Sequence, residues 1–161
     1  MSEGRNHYTV ELGGLEARLQ VAPDESESGV AVVEHVLAPG CLGAPRHRHT
    51  REDEISRVVN GELTVQQGDE TTTVGPGETV VKNRDVWHTF WNSGDEPVEF
   101  VEVIAPGEFA GYFEEAAALL PTDRMPDEET MDRLDELGSD YGLEFDPGSI
   151  PELTRQHELR F

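Results

Sequence analysis

Cysteine and lysine are all but missing from this chain of 161 residues: Cys41 and Lys82 are the only ones. A single cysteine excludes a disulfide within the chain. No apolar run approaches the roughly 20 residues that a membrane-spanning helix needs. The segment Met1-Ser2-Glu3-Gly4-Arg5-Asn6 lacks the basic, apolar and small-residue sections of a signal peptide. These absences lead to the expectation of a cytoplasmic protein with no membrane partner. Positive charge is scarce altogether, with 12 basic against 34 acidic residues and a net charge of −22. Such a surface repels nucleic acid, so no nucleic-acid partner is expected. It favours solubility and weakens the compact state by self-repulsion, most of all at low salt. Adaptation to a salty cytoplasm and a plain preference for arginine both fit that balance.

The length suits one domain with one sizeable core. Up to about residue 105 the chain alternates short apolar runs with turn signals, the pattern of an antiparallel sandwich or barrel. Strands are expected over 8–12, 15–21, 30–37, 55–59, 62–66, 71–74, 79–82, 87–91 and 98–104. Asn60-Gly61 between two such runs reads as a tight hairpin, because a type I′ turn needs positive φ at both central residues. After Ala105-Pro106-Gly107 the pattern becomes helical. One helix is expected over 109–120, stopped by Pro121. A second begins at Pro126-Asp127-Glu128-Glu129, with acids favourable to the macrodipole, and closes at Gly138. Residues 143–145 form a short apolar patch, and 151–161 are a last helix or a tail. The acidic stretch from Asp123 to Glu136 reads as a solvated face.

The chemistry gathers at four residues. His47, His49 and Glu54 lie in the run His47-Arg48-His49-Thr50-Arg51-Glu52-Asp53-Glu54, and His88 follows in Trp87-His88-Thr89-Phe90-Trp91-Asn92. Imidazoles with one carboxylate suit a first-row transition ion. Residues i and i+2 of a strand share a face, so His47 and His49 point one way and Arg48 the other. Fe²⁺, Mn²⁺, Ni²⁺, Co²⁺, Cu²⁺ and Zn²⁺ all accept such a set, so one divalent transition ion is expected and its identity is left open. Three imidazoles and a carboxylate leave coordination positions for a small-molecule substrate.

With these ligands on a strand pattern, the chain resembles the cupin superfamily, and within it the single-domain, metal-binding type-2 cupins. His47-x-His49, Glu54 and Gly61 match the first family motif, over 43–61. Gly77, His88 and Asn92 match the second, over 77–92. The opening glycine of the first motif falls at Cys41, the Pro-x-Gly turn of the second is Asn83-Arg84-Asp85, and Ser56 stands where an aromatic is common. The resemblance implies an all-β fold: a cupin-type double-stranded β-helix, or jelly-roll barrel, over 1–105. A helical C-terminal extension over 106–161 would then pack on the barrel, cover its mouth or dock on a partner subunit. It also implies a homodimer. Similarity to the quercetin 2,3-dioxygenase-like group implies a metal-dependent oxidoreductase acting on an aromatic or enolic, flavonol-like substrate, with Glu54 as general base. Isomerase or lyase chemistry on the same site, or ligand binding without turnover, are the alternatives.

Beside the ligands, Ser56 shares the face of Glu54 and Phe90 the face of His88, so both are expected to line the substrate pocket. His35, on the strand over 30–37, is a further candidate for the pocket wall. His7 and His157 have no such context. Cys41 reads as a small buried hydrophobe. Arg46, Arg48 and Arg51 either steer an anionic substrate or are simply solvated.

Overall fold

The computed structural model describes residues 7–122 and 124–161. The segment 1–6, read above for a signal peptide, and Asp123, which opens the acidic stretch, lie outside the described residues. Eleven strands form among the described residues: β1 (Thr9–Leu12), β2 (Leu15–Val21), β3 (Ala31–Leu37), β4 (Cys41–His49), β5 (Asp53–Asn60), β6 (Leu63–Gln67), β7 (Glu70–Val74), β8 (Thr79–Lys82), β9 (His88–Asn92), β10 (Val98–Ala105) and β11 (Leu143–Phe145). Three helices follow the barrel strands: α1 (Ala110–Leu119), α2 (Glu128–Asp140) and α3 (Ser149–Gln156). None is long and apolar enough to cross a membrane.

The strands make two antiparallel sheets facing each other, ordered β1-β2-β3-β10-β5-β8 and β11-β4-β9-β6-β7. This is the expected jelly roll with a helical C-terminal part. Alternation drives it. In β3 every second residue is buried, and in β10 Val98, Phe100, Glu102 and Ile104 all turn inward. One apolar cluster fills the space between the sheets around Leu37, Val58, Leu63 and Phe100. A second lies toward the other end, where Phe109 and Phe113 meet Ala17, Val33 and Ile104. A third sits outside the five-stranded sheet, where Ile150, Leu153 and Leu159 cover Leu42 and Trp91. That outer cover explains why all five residues of β9 are buried.

Three local readings of the sequence need correction. Asn60-Gly61 is no hairpin: β5 belongs to the six-stranded sheet and β6 to the five-stranded one. Only Gly61 has positive φ, and the type I′ turn requires two such residues. Gly61 is needed because the chain crosses between sheets there, and a Cβ would sit 2.7 Å from the Pro97 carbonyl oxygen. Gly138 does not close α2, which runs on to Asp140. Its missing side chain lets β11 approach, since a Cβ would lie 3.2 Å from the Leu143 carbonyl oxygen; Gly142, at φ +71°, ends the turn. Strand β4 was hidden by Gly43 and Pro45, and its register with β9 shifts twice, at Leu42/Ala44 and Ala44/His47.

The C-terminal segments are tied down individually. Strand β11 adds to the edge of β4, with Leu143 opposite His49 and Phe145 opposite His47. The start of α2 is capped by Asp127, whose side chain accepts from the Thr130 amide at 2.8 Å. Tyr8 donates its hydroxyl to the Ala110 carbonyl at 2.6 Å, fixing the start of α1 against the barrel.

Candidate metal centre

His47 and His49 project from β4 and His88 from β9, all in the five-stranded sheet. Glu54 projects toward them from β5 of the opposite sheet. All four are buried, and one ligand atom from each lies within 4.8 Å of the others. The structure thus brings together all four residues singled out by spacing. His47 and His88 are directly opposite in the β4–β9 ladder, and the i, i+2 step carries His49 onto the same face.

Each imidazole is held through Nδ1. That of His47 donates to the Pro45 carbonyl at 2.7 Å, that of His88 to the Val86 carbonyl at 3.1 Å, and that of His49 to Glu52 Oε1 at 2.7 Å. Nε2 is therefore the atom each ring keeps for a ligand. Fixing one ring nitrogen to orient the other is how metal-binding histidines are usually supported. His49 Nε2 lies 2.9 Å from Glu54 Oε1. His88 Nε2 is 3.5 Å from the same oxygen and is buried without a hydrogen-bond partner. An orphaned buried nitrogen among three other donors fits a divalent ion and is costly without one.

The electrostatics follow from burial and proximity. Burial alone would lower the His49 pKa, but the Glu54 carboxylate and the hydrogen bonds to Glu52 and Glu54 push it up to about 9. Burial, with His88 and His49 as neighbours, drives His47 well below the ordinary imidazole value. Burial pushes the Glu54 carboxyl up, yet His49 and Lys82 beside it hold it well below the usual carboxylate range.

A cavity of about 100 Å³ adjoins the cluster. His47, His49 and Glu54 stand on its wall, as do His35 and Phe90. The rest is mostly apolar, including Phe109, Tyr112 and Phe113 from the α1 region and Met131 and Leu134 from α2. Phe109 meets the His49 ring edge-on, with centroids 4.4 Å apart. Among the described residues, no arginine or lysine lines this cavity. Ser56 is fully buried and inward-facing but off the cavity wall, where its hydroxyl donates to Glu102 Oε2 at 3.2 Å.

The remaining sequence candidates have structural roles. Arg48 pairs with Glu144 at 2.8 Å and lies over the Trp87 ring, and Arg51 donates to the Asp140 carbonyl at 3.0 Å. Arg46 is 4.0 Å from both Asp146 and Glu152. These arginines face outward and hold the C-terminal segments. Cys41 is buried. His7 pairs with Glu25, and His157 stacks on Trp91.

Three buried charges escaped the motif reading. Glu52 supports His49. Glu102 receives the Lys82 ammonium at 2.7 Å. Lys82, the chain's sole lysine, is 2 % exposed and lies 5.3 Å from the Phe90 ring centroid. Alternation along Val98–Ile104 already put Glu102 at a core position, and that was the signal available.

Residues 33–104 match the family model described as Cupin domain. A solved structure of a sugar phosphate isomerase of the cupin superfamily from Silicibacter pomeroyi is 26% identical. The alignment covers 57% of this chain and 59% of that one, with a TM-score of 0.51, so the chain spans under two thirds of that relative. The cupin domain of an XRE family transcriptional regulator from Enterobacter cloacae is 25% identical over 57% of this chain and 96% of that one, at a TM-score of 0.50. A predicted oxalate decarboxylase from Thermotoga maritima is 19% identical over 65% of this chain and 96% of that one, at 0.55, and shares the fold. No curated protein matches the chain. The family match and the shared fold support the cupin superfamily, and the barrel is a cupin jelly roll.

Proposed function

We propose that this cupin-fold chain is a metal-dependent enzyme of the dioxygenase type, acting on a small phenolic or enolic molecule. The observation that carries the reading is the join between two features. Of the three histidines and the glutamate that could hold an ion, His47, His49 and Glu54 stand on the wall of a cavity whose remaining lining is mostly aromatic and aliphatic. A divalent transition ion bound by His47, His49, Glu54 and His88 would supply Lewis acidity and, if redox-active, access to dioxygen chemistry. The chain's own residues supply the rest. Glu54 is kept ionised by its neighbours, the form that accepts a proton from a substrate hydroxyl. Phe90, Phe109 and Phe113 present apolar surface to a ring and exclude water.

Cavity size narrows the substrate. About 100 Å³ is well below the roughly 300–1,000 Å³ of pockets for drug-sized ligands. It favours a single ring or a small enol over a three-ring flavonol, which would need α1 and α2 to move outward. The wall also argues against a phosphorylated substrate, because among the described residues no arginine or lysine faces the cavity to receive the charge. The isomerase reading, favoured by the relative from Silicibacter pomeroyi, is weaker on that ground. A second reading is ligand binding without turnover, favoured by the similarity to the cupin domain of a transcriptional regulator.

Oxygen uptake by metal-loaded protein with catechol, hydroquinone and quercetin tests the proposal. We expect uptake with a single-ring substrate. His49→Ala should lose both metal and uptake, whereas Glu54→Gln should keep much of the metal and lose uptake if Glu54 is the base. Metal-loaded protein that binds phenols without consuming oxygen would favour the binding module. A homodimer belongs to the same proposal. Val32, Val103, Ile55 and Val81 lie in register across β3, β10, β5 and β8, with Ile55 and Val81 exposed. Sedimentation at micromolar concentration would read out a dimer or a monomer.

A further inference from the structure

Glu102 is a carboxylate in the core of a chain that has only one lysine, and that lysine is spent on it. Lys82 Nζ donates to Glu102 Oε2 at 2.7 Å and Ser56 Oγ donates to the same oxygen at 3.2 Å, while His35 lies between the Glu16 carbonyl, 3.2 Å from its Nδ1, and Glu102 Oε1, 3.3 Å from its Nε2. A carboxylate offers about four acceptor positions. Lys82 and Ser56 fill those on Oε2, which leaves Oε1, beside His35, able to accept from a further donor. Glu102 and His35 both form part of the wall of the cavity that the candidate metal ligands face. The sheet register fixes their relation. Glu54 lies opposite Ile104 on β10, and Glu102 lies opposite Ser56, two residues along β5. Diagonal neighbours of this kind stand about 7–8 Å apart. Glu54 and Glu102 therefore reach the cavity from adjacent strands of one sheet.

We infer that Glu102 is a second anchor of the cavity, accepting a hydrogen bond from a hydroxyl of a small ring or enol whose other oxygen faces His47, His49, Glu54 and His88. The inference rests on the function proposed above, and deepens it by assigning the substrate a second donor. Lys82, Ser56 and His35 are positioning residues. They hold the carboxylate in place and leave Oε1 able to accept from the ligand. The arrangement selects against a methyl ether, a carboxylate or a phosphate at that end, because none donates a hydrogen bond and the last two are anionic.

The test uses the full chain loaded with Zn²⁺, which has no redox chemistry of its own. Hydroquinone and 4-fluorophenol are titrated by calorimetry; fluorine replaces one hydroxyl at similar size and donates no hydrogen bond. Hydroquinone should bind about tenfold tighter or more, the effect of one hydrogen bond to a charged group. Glu102→Gln leaves the Lys82 ammonium buried without its counter-charge, so Lys82→Met/Glu102→Leu, which removes both partners at once, is the companion variant. It should erase the preference while zinc content stays at the wild-type level. Equal affinity of the two phenols for the wild type, no binding of either, or a preference that survives in the double variant would overturn the inference. If the protein takes up no zinc, the proposed function fails on its own readout. The inference is then read on the metal-free protein, where phenol should outbind fluorobenzene in the wild type but not in the double variant, and a wild type without that preference overturns it.

Discussion

At the scale of residues, the cluster is a balance of opposed charges that a metal ion would change. His49 has carboxylates at both ring nitrogens, which lift its pKa from 6.5 to about 9 in the metal-free protein. A histidine bound more tightly to its proton in the folded state stabilises the fold fully below about 6.5, and that contribution is lost as pH rises through about 9. The melting temperature of metal-free protein should therefore fall between those limits through this group. A metal ligand must shed its proton, so metal affinity should rise over the same window. A flat melting temperature together with pH-independent affinity would contradict the assignment. The four ligands were legible because strand alternation and motif spacing are local properties of sequence. Glu102 and Lys82 were not, because a buried charge becomes conspicuous only once its partner on another strand is known, and Glu52 stands beside Asp53 and Glu54 with nothing local to show which acid meets the His49 ring. Ser56 shows the limit of the alternation argument. It faces inward as expected, yet inward includes the space behind Glu102 as well as the cavity.

At the scale of elements, β4 carries the most demands. It supplies two ligands, pairs with β9 across two register shifts and receives β11 on its free edge. Gly43 stands where any Cβ would overlap the Phe90 ring. Gly43→Ala should push Phe90 into the cavity, weaken phenol binding and lower stability by about 1–3 kcal/mol, measured by urea unfolding. A variant with wild-type stability and binding would show that the ring has room to move. The strands with clean alternation were placed within a residue or two by sequence. The failures share one cause, that a glycine marks different constraints in different surroundings. Gly61 serves a crossing between sheets and Gly138 the close packing of β11, and neither context is visible before the chain is folded. The sequence of α3 does not decide between helix and tail, because its helical identity depends on the third core, where Leu153 is wholly buried against Leu42 and Trp91. Leu153→Ala should cost about 2–5 kcal/mol in the same experiment.

At the scale of the molecule, two charge regimes coexist. The chain as a whole carries a net charge of −22, most of it outside, including the exposed acids of α2. Raising salt shortens the screening length from about 10 Å at 0.1 M to about 3 Å at 1 M. The unfolding midpoint should therefore rise in molar KCl; no gain would remove self-repulsion from the account. Inside, Glu54, Glu102 and Lys82 share a buried region with the three histidines, and a divalent ion would complete the balance. Because the imidazoles come from one sheet and the carboxylate from the other, a bound ion would also clamp the two sheets together. The most direct measurement is metal content per chain after purification and reloading, for the wild type and for His88→Ala, whose Nε2 is the unpartnered atom. The account predicts close to one divalent transition ion per wild-type chain and a severe loss in the folded variant. A wild type that holds no metal, or a variant that keeps all of it, would contradict the central claim.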